Sequence, residues 1–294
     1  MKKRILFGLI MIAVVFGLLY LDWRLEQLRA GENNGRAAGT LTSVRGLPLA
    51  AVFLALTVVA FVEMARLASA GGVQILPVTG LLASALLATL PFWWQFIEPL
   101  RGPDGADVLL LLGLVVPAAF LEQMIRHRTD DALRRIGSTL LTILYLGVGG
   151  ALVLHIRLAR GVPTLIMFLA AVKFTDIGAY FTGSAVGRHK LIPWLSPGKS
   201  WEGLFGGLVA AAGLSILTAW VFGIEQIAVW EAAVFGAAVG VAGQFADLCE
   251  SLLKRSAKLK DSGALVPEFG GVLDIIDSPL LAAPAACVLL AVLG

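Results

Sequence analysis

Residues 203–222 read GLFGGLVAAAGLSILTAWVF, a continuous stretch without a single charged side chain. A helix of about 20 apolar residues is long enough to cross a hydrocarbon core of roughly 30 Å. Lipid offers no partner to backbone N–H and C=O groups, so a segment that crosses it must satisfy these groups within a helix. The stretch therefore predicts a membrane-spanning helix.

Apolar runs of similar length recur along the chain. Hydrophobic residues make up 58% of the 294 residues and charged residues only 15%, a composition that disfavours an ordinary soluble domain. We predict an all-α, polytopic transmembrane helical bundle of about nine spans, at residues 5–21, 47–62, 73–92, 107–121, 138–155, 163–183, 203–222, 227–250 and 279–293. The first run exceeds a signal-peptide core and ends near Tyr20 and Trp23, which suit a headgroup boundary, so we interpret it as a helix.

The loops between these runs are too short for a soluble domain. We predict one membrane domain, with about five spans in residues 1–160 and the catalytic segments in residues 161–294. Loops on the N-terminal side of the membrane hold about twice as many Lys and Arg as the opposite loops, so the positive-inside rule predicts a cytoplasmic membrane protein with its polar segments facing the cytoplasm. The net charge of +3 is dispersed, which favours anionic lipid or phosphate over nucleic acid as partner.

Two polar segments interrupt the apolar pattern of the second half. We name them the first cassette, residues 173–203, and the second cassette, residues 243–278. An ionisable side chain costs roughly 2.5–3.5 kcal/mol at the centre of a membrane helix, so such residues mark function there. We expect the chemistry of the protein to lie in these two cassettes.

The first cassette predicts an anion site at a helix start. Its Ser-Pro-Gly sequence at residues 196–198 predicts a turn, after which Lys199 and Ser200 enter the next helix. Free backbone N–H groups at a helix N-terminus favour a phosphate. Lys173 and Asp176 are three residues apart and share a helix face, where either an ion pair or a binding role is open.

The second cassette predicts a cation beside phosphate-binding groups. Asp247, Ser251 and Lys254 follow at helical spacing and share one face. Asp274 and Asp277 can present two carboxylates to one hard cation, and oxygen ligands of this kind suit Mg²⁺. The alternative is an amphipathic juxtamembrane helix whose basic residues bind lipid headgroups.

Glycines in this half have two interpretations. Gly236, Gly240 and Gly243 form a small-residue stripe on one helix face, which predicts close helix packing and makes a homodimer plausible. Gly270 and Gly271 let the backbone come close to a ligand.

Two ordered motifs carry a family resemblance. The pattern Ser-x-x-Lys-Arg, Lys-Asp-x-Gly and Pro-x-x-Gly-Gly-x-x-Asp-x-x-Asp occurs at Ser251, Lys254–Arg255, Lys260–Asp261, Gly263, Pro267, Gly270–Gly271, Asp274 and Asp277. The upstream motif occurs at Asp176–Phe181, Gly183, Gly187–Leu191 and Ser196–Gly203. At these residues the chain resembles the phosphatidate cytidylyltransferases, the CDP-diacylglycerol synthases. Phe269 and Ile275 stand where the family has His and Arg.

The resemblance implies transfer of a cytidylyl group from CTP to phosphatidic acid in phospholipid biosynthesis, with Mg²⁺ as one or two metal ions. The implied metal ligands are Asp247, Asp274 and Asp277. The implied catalytic residues are Lys199, Ser200, Glu202, Lys254, Arg255, Lys260 and Asp261. The implied substrate-binding residues are Ser196, Ser251, Gly270, Gly271 and Asp176.

Two rival functions stay open at this point. A transporter of an ion or anionic solute also carries charges in its spans, but it places them across the midplane, whereas here they cluster toward one membrane face. A polyprenol or phytol kinase would share the phosphate chemistry and use a different acceptor. An assay that follows labelled CTP, and asks whether its cytidylyl group appears on lipid, distinguishes the cytidylyltransferase from both rivals.

Overall fold

A computed structural model describes residues 2–32, 46–96, 106–224, 227–266 and 270–293. Nearly all of its secondary structure is helical, so the predicted all-α class is confirmed. The helices are α1 Lys2–Glu32, α2 Leu47–Ala70, α3 Pro77–Trp93, α4 Ala106–Arg126, α5 Ala132–Thr142, a π-helical segment Ile143–Val148, α6 Gly149–Val186, α7 Trp201–Val221, α8 Val229–Ser256 and α9 Leu273–Leu293. A short hairpin of β1 Lys190–Ile192 and β2 Ser196–Ser200 precedes α7.

Six helical segments of the described chain are long and apolar enough to cross a membrane, which confirms a polytopic membrane protein. They are Leu47–Ala70, Val108–Arg126, Ala132–Val186, Trp201–Val221, Val229–Ser256 and Leu273–Leu293. The third is interrupted at Gly161, which has a φ of 85° and a ψ of 173° and is followed by Pro163. The predicted spans 138–155 and 163–183 lie on either side of this break. The count of nine spans stays a prediction.

The chain folds as two compact units. The first comprises Met1–Leu158 and Ser262–Leu273, and the second comprises Ala159–Asp261 and Asp274–Gly294. The segment Ser262–Leu273 therefore belongs to the same unit as the N-terminal residues. The single membrane domain divided near residue 160 stays a prediction.

In the first unit a buried arginine joins α6 to α1. Arg157 lies between two predicted spans, and the structure places it inside α6 with 1% of its surface exposed. Its Nε donates to Asp22 Oδ2 at 2.6 Å, and its Nη2 donates to Glu26 Oε2 at 2.9 Å. The guanidinium is held in the protein because each donated bond goes to a carboxylate, which offsets part of the cost of removing these charges from water.

A second polar contact of this unit fixes the start of α3. The Glu122 carboxylate on α4 accepts hydrogen bonds from the main-chain N–H groups of Val78 at 3.1 Å and Thr79 at 2.7 Å. Thr139 Oγ1 accepts a third from Leu76 N at 2.9 Å. Helix α3 begins at Pro77 and has no side-chain cap of its own, so α4 and α5 supply acceptors for its first N–H groups.

In the second unit the glycine stripe of α8 packs against its neighbours. A Cβ atom at Gly236 would lie 2.5 Å from the main-chain oxygen of Ala211 on α7. A Cβ at Gly240 would lie 2.7 Å from Thr175 Oγ1 on α6. The predicted packing role is confirmed. These glycines are buried against neighbouring helices of the same chain.

Replacing Gly236 by Ala is expected to lower the stability of the second unit by about 1–3 kcal/mol, because the added methyl meets backbone that cannot move cheaply. The matched control is Gly213→Ala on α7, where a Cβ would meet nothing within 4 Å. This control is expected to be neutral or to gain about 0.5–1 kcal/mol of helix propensity. Thermal unfolding in detergent measures both variants, and an equal melting temperature for the two contradicts the packing assignment.

Candidate active site

A hairpin brings the first cassette to the start of α7. Strand β1 pairs antiparallel with β2, matching Lys190 with Ser200 and Ile192 with Ser196. The turn predicted at residues 196–198 is therefore wrong, because these residues pair in β2 and the chain reverses at residues 193–195 instead. Ser200 is the N-cap of α7, and its Oγ accepts a hydrogen bond from Gly203 N at 3.1 Å.

Glu202 holds the loop that precedes the hairpin. Its carboxylate accepts hydrogen bonds from the main-chain N–H groups of Arg188 and His189, each at 3.2 Å. It also lies 2.6 Å from Nδ1 of the His189 ring. Three contacts on one carboxylate fix the approach of the chain to α7.

Lys199 connects the two cassettes within the second unit. Its ammonium forms an ion pair with Asp247 on α8 and donates to the main-chain oxygen of Gln244 at 3.3 Å. The side chain of Gln244 in turn donates to Asp176 Oδ1 on α6 at 2.8 Å. Residues far apart in the sequence are therefore joined along one face of α8.

Lys173 connects α6 to α9 in the same unit. The spacing left open an ion pair with Asp176, and the structure directs the ammonium to the main-chain oxygen of Ile275 at 2.9 Å. Lys173 was not among the predicted site residues, and the structure shows that it joins α6 to the first turn of α9.

Three carboxylates form a cluster that can hold a metal ion. One oxygen each of Asp247, Glu250 and Asp277 lies within 4.8 Å of the other two. The Glu250 side chain is 1% exposed. Its Oε1 is buried and has no hydrogen-bond partner among the described residues. We call these three residues the carboxylate cluster.

The cluster differs from the predicted metal set in one member. Asp274 Oδ1 accepts a hydrogen bond from Lys254 Nζ at 3.1 Å, and the same ammonium donates to Glu250 Oε2 at 2.5 Å. Glu250 was missed by the sequence prediction. Two spacings could have found it, because it lies three residues after Asp247 and four before Lys254 on α8.

The other predicted residues are less closely held. Ser196 and Ser251 are half-buried, while Arg255, Lys260 and Asp261 are exposed at the end of α8 and in the segment after it. Gly270 has a φ of 94°, which favours glycine, whereas Gly271 is buried. Pro267 and Phe269 of the family motif lie outside the described residues.

Replacing Lys254 by Met is expected to destabilise the protein by about 3–5 kcal/mol, because it leaves Glu250 and Asp274 without their shared cation. The control Arg255→Met removes an exposed cation from the next position and is expected to change stability by no more than about 0.5 kcal/mol. Thermal unfolding in detergent compares the two. Equal melting temperatures would show that Lys254 does not stabilise the acidic residues.

Helices that cross a membrane and enclose paired lysines and carboxylates define a polytopic membrane protein with a polar site inside its second unit. Residues 36–293 match the cytidylyltransferase family, and the chain belongs to that family. The predicted resemblance is therefore confirmed.

Three similar proteins from bacteria share the name phosphatidate cytidylyltransferase. The chain is 42% identical over 157 residues to a phosphatidate cytidylyltransferase of Pseudomonas aeruginosa, covering 53% of this chain and 57% of that protein. It is 36% identical over 151 residues to one of Staphylococcus saprophyticus, with shares of 51% and 57%. One of Staphylococcus epidermidis is 28% identical over 232 residues, with shares of 79% and 86%. The chain spans a little over half the length of the first two relatives.

Proposed function

We propose that this chain is a phosphatidate cytidylyltransferase, which converts CTP and phosphatidic acid to CDP-diacylglycerol and pyrophosphate. The observation that carries the proposal is the carboxylate cluster flanked by Lys199 and Lys254 inside one membrane unit. Such a site offers both a seat for a divalent cation and cations for phosphate. Family membership and the name shared by the relatives support the same reaction.

The reaction requires little acid–base chemistry from the protein. A phosphate oxygen of phosphatidic acid attacks the α-phosphorus of CTP, and the bond to the β-phosphate oxygen breaks to release pyrophosphate. A phosphate monoester has a second pKa of about 6, so the nucleophile is already largely ionised at neutral pH. The difficulty is to bring two polyanions together, which calls for fixed cations around the transferring group.

The lysines and the arginine are suited to that task. Lys199 and Lys254 are held by carboxylates within the unit, so each ammonium is oriented before substrate binds. Arg255 and Lys260 are exposed at the end of α8 and beyond it, where they can contact a phosphate that arrives from water. Asp261 is exposed beside Lys260 and belongs to the same proposed set of catalytic residues.

Polar groups of the hairpin and helices complete the proposed site. Ser200 and Glu202 fix the start of α7 and the loop before it. Ser196 on β2, Ser251 on α8 and Asp176 on α6 are proposed to bind substrate. Gly270 and Gly271, which the resemblance implied as substrate-binding residues, belong to the first unit, and their role stays a prediction.

The carboxylate cluster fits a Mg²⁺ ion. Its donors are carboxylate oxygens, and Glu250 Oε1 is a buried oxygen whose hydrogen-bonding capacity is unused by the described residues. We propose Asp247, Glu250 and Asp277 as the ligands, with Glu250 in the place assigned to Asp274. When bound, the ion neutralises charge on the phosphates and orients them. A second ion stays a prediction.

The proposed location is the cytoplasmic membrane with the site facing the cytoplasm. Support comes from the excess of Lys and Arg in the loops on that side and from the CTP requirement. The expected partners are CTP, phosphatidic acid and membrane lipid, without nucleic acid. A homodimer stays a prediction.

The position of a radioactive label distinguishes the proposed reaction from its rivals. Purified protein with Mg²⁺ and phosphatidic acid is expected to transfer label from α-³²P-CTP to the lipid and to release label from γ-³²P-CTP as pyrophosphate. A polyprenol or phytol kinase would transfer the γ-label to an added polyprenol or phytol. A transporter would transfer neither label.

Variants of the same preparation link the activity to the cluster. Asp277→Asn is expected to lower lipid labelling at least about 100-fold, because it removes one of the three carboxylates that would hold the metal ion. The control Asp131→Asn changes an exposed loop residue with a φ of 48°, which Asn tolerates, and is expected to keep wild-type activity. Equal activity of Asp277→Asn and wild type would refute the proposed site.

Two further variants decide which carboxylate completes the metal site. Glu250→Gln is expected to raise the Mg²⁺ concentration for half-maximal activity about 10–100-fold, whereas Asp274→Asn is expected to raise it less, because Asp274 lies next to Lys254. Mn²⁺ binding by electron paramagnetic resonance gives the same comparison without catalysis. A larger effect of Asp274→Asn would restore the ligand set predicted from the sequence.

A further inference from the structure

A buried carboxylate of the first unit binds the backbone that begins α9. Glu63 lies on α2 with 2% of its surface exposed. Its carboxylate accepts hydrogen bonds from Val272 N at 3.0 Å and Leu273 N at 2.8 Å, and a longer one from Ser262 Oγ at 3.4 Å. All four residues belong to the first unit, so this contact lies within one compact body.

Two glycines allow the backbone to close around Glu63. A Cβ atom at Gly263 would lie 2.5 Å from Glu63 Oε1, and one at Gly271 would lie 2.5 Å from Glu63 Oε2. Both distances are too short for any side chain. The close approach that the sequence predicted for Gly271 is thus made, in the structure, to the side chain of Glu63.

Leu273 is the first residue of α9, and the helix continues directly into Asp274 and Asp277. The first N–H groups of a helix have no partner inside it, so an external acceptor decides where the helix starts. A charged acceptor at this end is also favoured by the helix dipole. Glu63 therefore supplies acceptors for the N–H groups at the residue where α9 begins, four residues before Asp277.

We propose that Glu63 is a positioning residue for the carboxylate cluster. It acts through the start of α9, which sets the position of Asp277 for the metal ion. This inference rests on the proposed function for its catalytic consequence. Its structural part, the control of metal affinity by a carboxylate on α2, can be measured without catalysis.

Glu122 provides a matched control. It is also a buried carboxylate of the first unit, and it accepts hydrogen bonds from two consecutive N–H groups at the start of α3. Helix α3 carries none of the cluster residues. A general loss of stability from uncapping a membrane helix would affect both variants, whereas an effect on the metal site is expected only from Glu63.

The test compares Glu63→Gln with Glu122→Gln in the whole 294-residue chain. Glutamine keeps the size of the side chain but replaces one acceptor oxygen by an NH₂ group, which cannot accept the second N–H. Glu63→Gln is expected to speed amide hydrogen exchange in residues 270–277 and to weaken Mn²⁺ binding about 10–100-fold. Lipid labelling is expected to lose a similar factor at a fixed low Mg²⁺ concentration and to recover in part at high Mg²⁺. Glu122→Gln is expected to keep wild-type Mn²⁺ affinity.

The inference is overturned if Glu63→Gln binds Mn²⁺ as wild type does, or if Glu122→Gln weakens binding equally. If Glu63→Gln does not fold, Gly271→Ala tests the same contact from the backbone side, with the same expected and opposing results. Failure of the proposed function has a different signature: the wild-type protein then labels no lipid, while Mn²⁺ affinity and hydrogen exchange still decide the role of Glu63.

Discussion

Lipid does not solvate charged groups, and this constraint determines where the described structure places its ionisable side chains. Helices that cross lipid must be apolar on most faces, and a charged group among them is stable only beside an opposite charge or main-chain dipoles. Arg157 meets two carboxylates of α1, and Lys254 lies between Glu250 and Asp274. Lys254 and its two carboxylates are part of the proposed catalytic site. The need to pair buried charges therefore both joins helices and orients the groups proposed to react.

Helix α8 is the element on which the second unit depends. One part of it carries a stripe of glycines that lets α7 and α6 approach, and the part that follows carries Asp247, Glu250 and Lys254. Close packing at Gly240 and its neighbours fixes the distance between helices. The polar side chains about one to three turns past Gly243 then meet partners from β2 and α9. Packing and chemistry are therefore set by adjacent turns of one helix.

Carboxylates that bind helix starts are a second recurring device. Glu122 and Glu63 are buried in the first unit, and each accepts hydrogen bonds from two consecutive backbone N–H groups. Such contacts satisfy donors that lipid cannot satisfy. Glu63 binds the start of α9, and this helix carries Asp274 and Asp277 in its first turns. A buried carboxylate that stabilises a helix start can therefore also influence the proposed metal site.

The sequence by itself determined the helical membrane class, the position of the apolar runs and the two cassettes, because hydropathy and charge are properties of local composition. It also pointed to Asp247 and Asp277. Only the tertiary structure decided that Glu250 joins them, and that Glu63 reaches a segment some two hundred residues further along. Those choices depend on how helices rotate and approach one another, and a linear pattern carries no information on the distance between residues from different helices.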